Sequence, residues 1–350
     1  MNQRTGVATF GLDYGTCPPW LFAKMKRLAR LLAEAIVWEF SPTEFIKRMS
    51  NPFFFQSFGT ILAFDWDASG LTTTTTAAIK EALRGTERSL GVFVAGGKGR
   101  TSLKTPEDIR NHFSKYQLSI NNCDKLIYAS KMSAKVDNTA VQDGFQLYHH
   151  AFFFDRKGNW SVVQQGMNEK IKRARRYHWF SKGFSDFVEE PHAGITQPQR
   201  GKVLNLVSKK SRDNKDVSVE LVKDIKTLRG DLKVLDYVGV PFDKRRLEST
   251  LNNAYERSPE NFENLLAVRG VGPKTIRALS LISELIYGAA PSYQDPARYS
   301  FAHGGKDGIP YPVDRKVYDQ SISVLERAVR RAKLQHAEKE KVFRKLETFL

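Results

Sequence analysis

The chain has 350 residues and carries 55 Lys+Arg against 38 Asp+Glu, a formal net charge of +17. That length allows two or three domains with sizeable cores, and the charge points to a polyanion such as nucleic acid, bound through phosphate attraction and counterion release. Cys17 and Cys123 stand alone, no apolar stretch approaches a membrane span and no secretory signal opens the sequence, which argues against a thiolate metal site or a membrane protein and for a cytoplasmic location.

Residues 19–50 read as helical, with Pro19 near the start and Leu21, Met25, Leu28, Leu32, Ala35 and Ile36 at helical spacing. Ser41-Pro42-Thr43-Glu44 starts a second, shorter helix within that stretch. Residues 90–94 form a short apolar strand. A longer strand over 145–154 turns at Arg156-Lys157-Gly158-Asn159 and returns over 160–165 as a hairpin. Segment 208–216 is polar throughout and is the best linker candidate. Beyond it the pattern is helical over 217–229, 243–256, 259–268, 273–287 and 315–348, with no internal repeat. The expected fold class is α+β. A mixed α/β domain (1–205) is followed by a linker (206–218) and an all-helical domain (219–350).

The most informative motif is Arg269-Gly270-Val271-Gly272-Pro273-Lys274-Thr275. Glycines at 270 and 272 allow positive φ and close approach of the backbone to a ligand. Val271 plugs the hairpin, and Gly272-Pro273 opens a helix whose unpaired N–H groups and positive dipole end suit a phosphate. The segment 259–287 resembles the helix-hairpin-helix motif, which grips a nucleic-acid backbone without reading bases. Arg269, Gly270, Val271, Gly272 and Thr275 are its expected DNA contacts.

Phe64-Asp65-Trp66-Asp67-Ala68-Ser69-Gly70, Val94-Ala95-Gly96-Gly97-Lys98-Gly99, Tyr148-His149-His150, Val163-Gln164-Gln165-Gly166-Met167 and the 299–308 segment follow one another in order. In these motifs the chain resembles, over nearly its whole length, the family known as domain of unknown function 763. That resemblance brings no activity with it. The hairpin is also similar to that of base-excision DNA glycosylases with a lysine nucleophile, and Pro312-Val313-Asp314 looks like the Val-Asp segment that follows it there. The similarity implies that Lys274 attacks the sugar of a damaged nucleoside while Asp314 stabilises the developing cation or deprotonates the lysine. A neutral amine beside cationic neighbours and a carboxylate near a sugar cation are chemically coherent. The bland alternative makes Lys274 a phosphate contact and Asp314 the cap of the helix starting at Arg315. The lead reading calls for no cofactor.

A second candidate site joins Asp65 and Asp67 with His149, His150 and Gln164. Carboxylates plus one histidine can hold a divalent cation and activate water on a phosphodiester. Adjacent strand residues face opposite ways, so only one of the two histidines can serve. Lys98 and Arg100, in a glycine-rich loop before Thr105-Pro106, are further backbone contacts, without the spacing of a nucleotide-binding loop. The run 170–180 interleaves Lys172, Arg173, Arg175 and Arg176 with aromatics, a composition suited to phosphate pairing and base stacking. The expected partner is DNA, double-stranded, damaged or partly single-stranded. The lead expectation is a repair enzyme acting by base excision. A metal-dependent nuclease and a non-enzymatic DNA binder are the alternatives.

Overall fold

The computed structural model describes residues 11–12, 16–62, 69–196, 202–236, 243–297 and scattered positions between 323 and 344. Five helices come first: α1 (Pro19–Glu39), α2 (Pro42–Met49), α3 (Pro52–Ile61), α4 (Ser69–Leu83) and α5 (Glu87–Leu90). Strand β1 (Val92–Lys98) leads into α6 (Arg100–Leu103), α7 (Thr105–Tyr116) and α8 (Cys123–Thr139). Strands β2 (Val141–Gln142), β3 (Gln146–Asp155), β4 (Trp160–Asn168), β5 (Arg173–Phe180), β6 (His192–Ile195) and β7 (Leu204–Asn205) follow. The described chain then continues as α9 (Arg212–Lys223), α10 (Ile225–Asp231), α11 (Lys244–Arg257), α12 (Phe262–Ala267) and α13 (Pro273–Leu285). Among the described residues no helix is long and apolar enough to cross a membrane.

The centre is an antiparallel sheet in the order β1-β3-β4-β5-β6, and β2 pairs with β7 in a separate two-stranded ladder. Sheet strands are buried at most positions, polar residues included, because helices cover both faces. Val92, Val94, Ala151, Phe153 and Val163 pack with α1–α4, whereas Phe93, Ala95, Phe152, Phe154, Val162 and Trp179 pack with α7, α8 and the C-terminal helices. The pleat therefore sends alternate residues into two cores. Val324, Ala328 and Val329 join the first core, and Arg327 and Arg331 pair with Glu39 of α1 at 3.1 and 3.4 Å.

The segment expected to be a linker is structured. Residues 209–211 form a 3-10 turn that runs straight into α9, whose Asn214 and Lys215 are buried. Asn214 Nδ2 donates to the carbonyls of Ser280 (3.0 Å) and Ala289 (2.6 Å), and Lys215 Nζ donates to that of Val188 (2.7 Å). The polar residues face inward to serve backbone acceptors that would otherwise be unsatisfied. One continuous core includes Phe152 and Trp179 of the sheet together with Leu221, Leu265 and Leu279 of the helical region. The helical part is thus packed onto the sheet layer.

Five consecutive threonines, 72–76, lie within α4 despite the low helix preference of β-branched residues. Tertiary contacts outweigh propensity there. Thr76 Oγ1 reaches the carbonyl of Thr72 at 2.9 Å and His149 Nε2 at 3.0 Å, and Thr72 Oγ1 donates to Gln165.

Candidate nucleic-acid interface

Residues 268–272 join α12 to α13. Asn261 caps α12 by accepting from the Asn264 amide at 2.9 Å, and Pro273 opens α13 at its first turn. Gly270 has φ +97°, a conformation L side chains rarely adopt, so glycine is required there. Gly272 is extended at φ −137°, and a Cβ on it would approach only the Gly270 carbonyl, at 3.8 Å. The expectation of positive φ at both glycines therefore holds only for Gly270. Val271 is buried between the helices at 1% exposure.

Three carbonyls of this turn are held by neighbouring elements. Asn253 of α11 donates to the Arg269 carbonyl at 2.8 Å, Lys135 of α8 to that of Val271, and Gln142 of β2 to that of Pro273 at 2.8 Å. The Ile276 amide reaches the Gly272 carbonyl at 3.0 Å. Arg277 Nε in turn donates to Gln142 Oε1 at 2.9 Å. The first-turn amides of Lys274 and Thr275 have no acceptor within the helix, and Gly272 supplies no side-chain cap. Arg269, Gly270, Pro273 and Lys274 are exposed, whereas the Thr275 side chain is buried, leaving only its backbone N–H as a possible contact.

Cations surround the turn. Lys274 makes no hydrogen bond or ion pair with any described residue, and Asp314 lies outside the described residues. Thr250 of α11 stands beside Gly270, and exposed Arg246 lies one turn earlier on the same helix face. Exposed Lys131 precedes Lys135 by one turn of α8. Burial pushes the Lys135 ammonium below its ordinary pKa while the Val271 carbonyl accepts from it.

The basic run at 170–180 divides into two parts. Lys170, Ile171, Lys172 and Arg173 form an exposed tip between β4 and β5. Arg175 and Arg176 are fully buried, a correction to their expected role as phosphate contacts, because both faces of β5 are covered. Arg175 donates to Asp143 at 2.7 Å and also pairs with Asp295. Burial opposes its charge, but the two carboxylates prevail and hold the guanidinium above its ordinary range. Arg176 reaches Gln56 at 2.9 Å and Thr72 at 3.2 Å, and burial pushes its pKa down to about 9.

The glycine-rich loop after β1 has structural uses for its amides. Gly96 has φ +84°, and a Cβ there would stand 2.2 Å from the His150 carbonyl oxygen. Its amide donates to Asp108 at 3.0 Å, and the Gly99 amide donates to the Tyr148 carbonyl at 2.7 Å. Those two amides are therefore engaged within the fold. The exposed side chains of Lys98 and Arg100 are the outward-facing groups of the loop.

Asp65 and Asp67 lie outside the described residues. His149 and His150 point to opposite sheet faces, as strand geometry requires. His149 meets Thr76 of α4, while His150 meets Ser130 of α8 at 2.9 Å and Gln164 at 2.7 Å. Burial lowers the pKa of both imidazoles, that of His149 to about 3, so both are neutral bases. Among the described residues no group of three His, Cys, Asp or Glu could hold a metal.

The sequence did not single out the centre of this polar layer, Asp137 of α8. Its carboxylate accepts from Trp179 Nε1 at 2.9 Å, from Gln164 Nε2 and from His192 Nε2. A signal was present: Ser130, Ser133 and Asp137 occupy successive turns on an inward helix face otherwise filled by Met132 and Val136.

The family model described as a protein of unknown function (DUF763) matches residues 6–313, and the chain belongs to that family. No curated protein and no solved structure matches it.

Proposed function

We propose that this chain binds DNA through its sugar-phosphate backbone, with residues 269–275 acting as a helix-hairpin-helix clamp. One observation carries the reading. The turn's carbonyls are occupied by Asn253, Lys135 and Gln142, while the first-turn amides of α13 have no side-chain cap and stand beside exposed Arg269 and Lys274. Oriented N–H groups at a helix N-terminus, flanked by cations, match a phosphate and ignore base identity. The net charge of +17 supports the same partner.

Base excision is the narrower, enzymatic form of this reading. It requires a neutral Lys274 amine and a carboxylate facing the same sugar. The exposed position of Lys274 in the first turn of α13 suits the phosphate contact.

Fluorescence anisotropy with a labelled duplex tests the reading. The wild-type chain binds duplexes of unrelated sequence with similar affinity, and Lys274→Ala weakens all of them alike, by about three- to tenfold at low salt. Unchanged affinity in a folded Lys274→Ala, Arg269→Ala double variant overturns it.

A further inference from the structure

A pocket of about 350 Å3 opens between β6, β7 and residues 292–296, a volume within the range of small-ligand sites. It lies apart from the α12–α13 turn. Its floor carries two polar atoms without a protein partner. The first is Nδ1 of His192. Asp137 receives N–H groups from Gln164, Trp179 and His192, so a hydrogen sits on His192 Nε2, and Nδ1 is the acceptor of the neutral ring. The direction of this chain is fixed further back, where Gln164 Oε1 accepts from His150 and Gln164 Nε2 donates to the Ser133 carbonyl at 3.1 Å.

The second is Oδ1 of Asn205, a residue only 5% exposed. Its Nδ2 donates to the Gln294 carbonyl at 3.1 Å, which fixes the amide's orientation and leaves Oδ1 buried with no hydrogen-bond partner. A buried acceptor is rarely left unsatisfied, and Asn205 Oδ1, with half-buried His192 in the same lining, points to a ligand that brings N–H donors.

The remaining lining says what kind of ligand. Ile195, Val207 and Pro296 supply apolar walls for a flat ring. Exposed Lys209 and Lys210 supply cations at the pocket's rim for an anionic part of the ligand. The two acids of the pocket already have cationic partners: Asp295 pairs with Arg175, and Glu190 lies 3.7 Å from Lys209. A neutral donor edge, a flat apolar body and an anionic tail describe a nucleotide.

We propose that this pocket takes an unstacked nucleobase. Its amino N–H groups would donate to His192 Nδ1 and Asn205 Oδ1, and its phosphate would lie against Lys209 and Lys210. The proposal rests on the DNA-binding reading and specifies where an extrahelical or single-stranded base goes. Cytosine, adenine and guanine each present an amino group, whereas uracil and thymine offer only a ring N–H.

The test labels the histidines with nitrogen-15 and follows His192 by long-range nitrogen–proton correlation, using His192→Phe to assign its signals. The free protein shows the Nε2–H tautomer. Adding CMP, AMP or GMP shifts Nδ1 toward the hydrogen-bonded position, and UMP binds at least about tenfold more weakly. Asn205→Leu weakens CMP, and Lys209→Ala with Lys210→Ala weakens CMP more than cytidine. Nucleotides that leave Nδ1 unmoved overturn the proposal, as does a shift produced by N-acetylarginine amide in their place, which would indicate a basic peptide. Mononucleotide binding that survives a failure to bind duplex removes the hairpin reading alone. Duplex binding without any nucleotide effect on His192 removes the pocket alone.

Discussion

His192 and Asp137 are joined across the interior by a hydrogen bond from Nε2 of the imidazole to a carboxylate that α8 buries completely. The same carboxylate accepts from Gln164 and Trp179, so a helix, two sheet strands and an edge strand meet at one anion. The bond also sets the tautomer of His192 and turns its free nitrogen toward the pocket beside β7.

Asp137→Asn places an amide where three donors converge, so at least one donor loses its acceptor. Hydrogen bonds to a charged group contribute about 1.5–3 kcal/mol each. Loss of stability in that range is expected from urea unfolding, together with a mixture of His192 tautomers by NMR. A variant as stable as wild type would show that the carboxylate does not organise this layer.

Arg173 and Arg175 differ by two positions and belong to opposite environments. Arg175→Ala strands the buried Asp143 and costs about 3–5 kcal/mol. Arg173→Ala with Lys172→Ala leaves stability within about 0.5 kcal/mol. If those two exposed cations contact phosphate, only the latter variant weakens DNA binding at equal folded fraction. The reverse pattern, measured by thermal melts and anisotropy, contradicts the burial assignment.

Acid should unfold the protein through its interior histidines. Burial, the largest effect on His149, lowers its pKa from 6.5 in the unfolded chain to about 3 in the folded one. Between those values the unfolded state binds the extra proton, so stability is full above pH 6.5 and falls as the pH drops toward 3. The slope is about 1.4 kcal/mol per pH unit for each such group. His150 and His178, also lowered by burial, act in the same direction. His149→Gln reduces the slope between pH 6 and pH 4, and an unchanged slope in urea titrations at several pH values would exclude this cause.

Gly96 and Gly272 make opposite predictions for the same substitution. Gly96→Ala drives a Cβ into the His150 carbonyl at positive φ and is strongly destabilising. Gly272→Ala meets nothing closer than 3.8 Å, so stability is nearly unchanged. A phosphate drawn onto the α13 amides would, however, meet that methyl. DNA affinity therefore falls about threefold or more in Gly272→Ala, and unaltered affinity would place the phosphate elsewhere.

The 145–165 hairpin was legible because an apolar run, a glycine-containing turn and a second apolar run stand in order. The α12–α13 turn was legible because Gly270 takes a positive φ and Pro273 suits the first turn of a helix. Other parts were hidden by physics that composition does not carry. Lys215 and Asn214 look solvated in sequence, yet each is buried to satisfy carbonyls contributed from distant parts of the chain. The threonine run carries no helical signal of its own, and His149 and Gln165 bond it within α4. Arg175 and Arg176 look like a surface patch because one sequence does not say that helices cover both faces of β5. His192 and Asn205 gave no local signal, since their pocket is assembled from elements far apart in the chain.

Lys274 offers a sharp division between clamp and catalyst. On DNA containing abasic or damaged sites, borohydride traps a covalent adduct only if a Schiff base forms. The clamp reading expects no adduct. An adduct abolished by Lys274→Ala would establish the lysine chemistry instead.

The salt dependence of duplex binding tests the central claim most directly. Each phosphate contact contributes about 0.9 to the slope of log affinity against log salt. The Arg269→Ala, Lys274→Ala double variant should therefore bind more weakly with a slope shallower by about 1.8, at unchanged thermal stability. A slope identical to wild type, with affinity intact, would contradict a DNA clamp at residues 269–275.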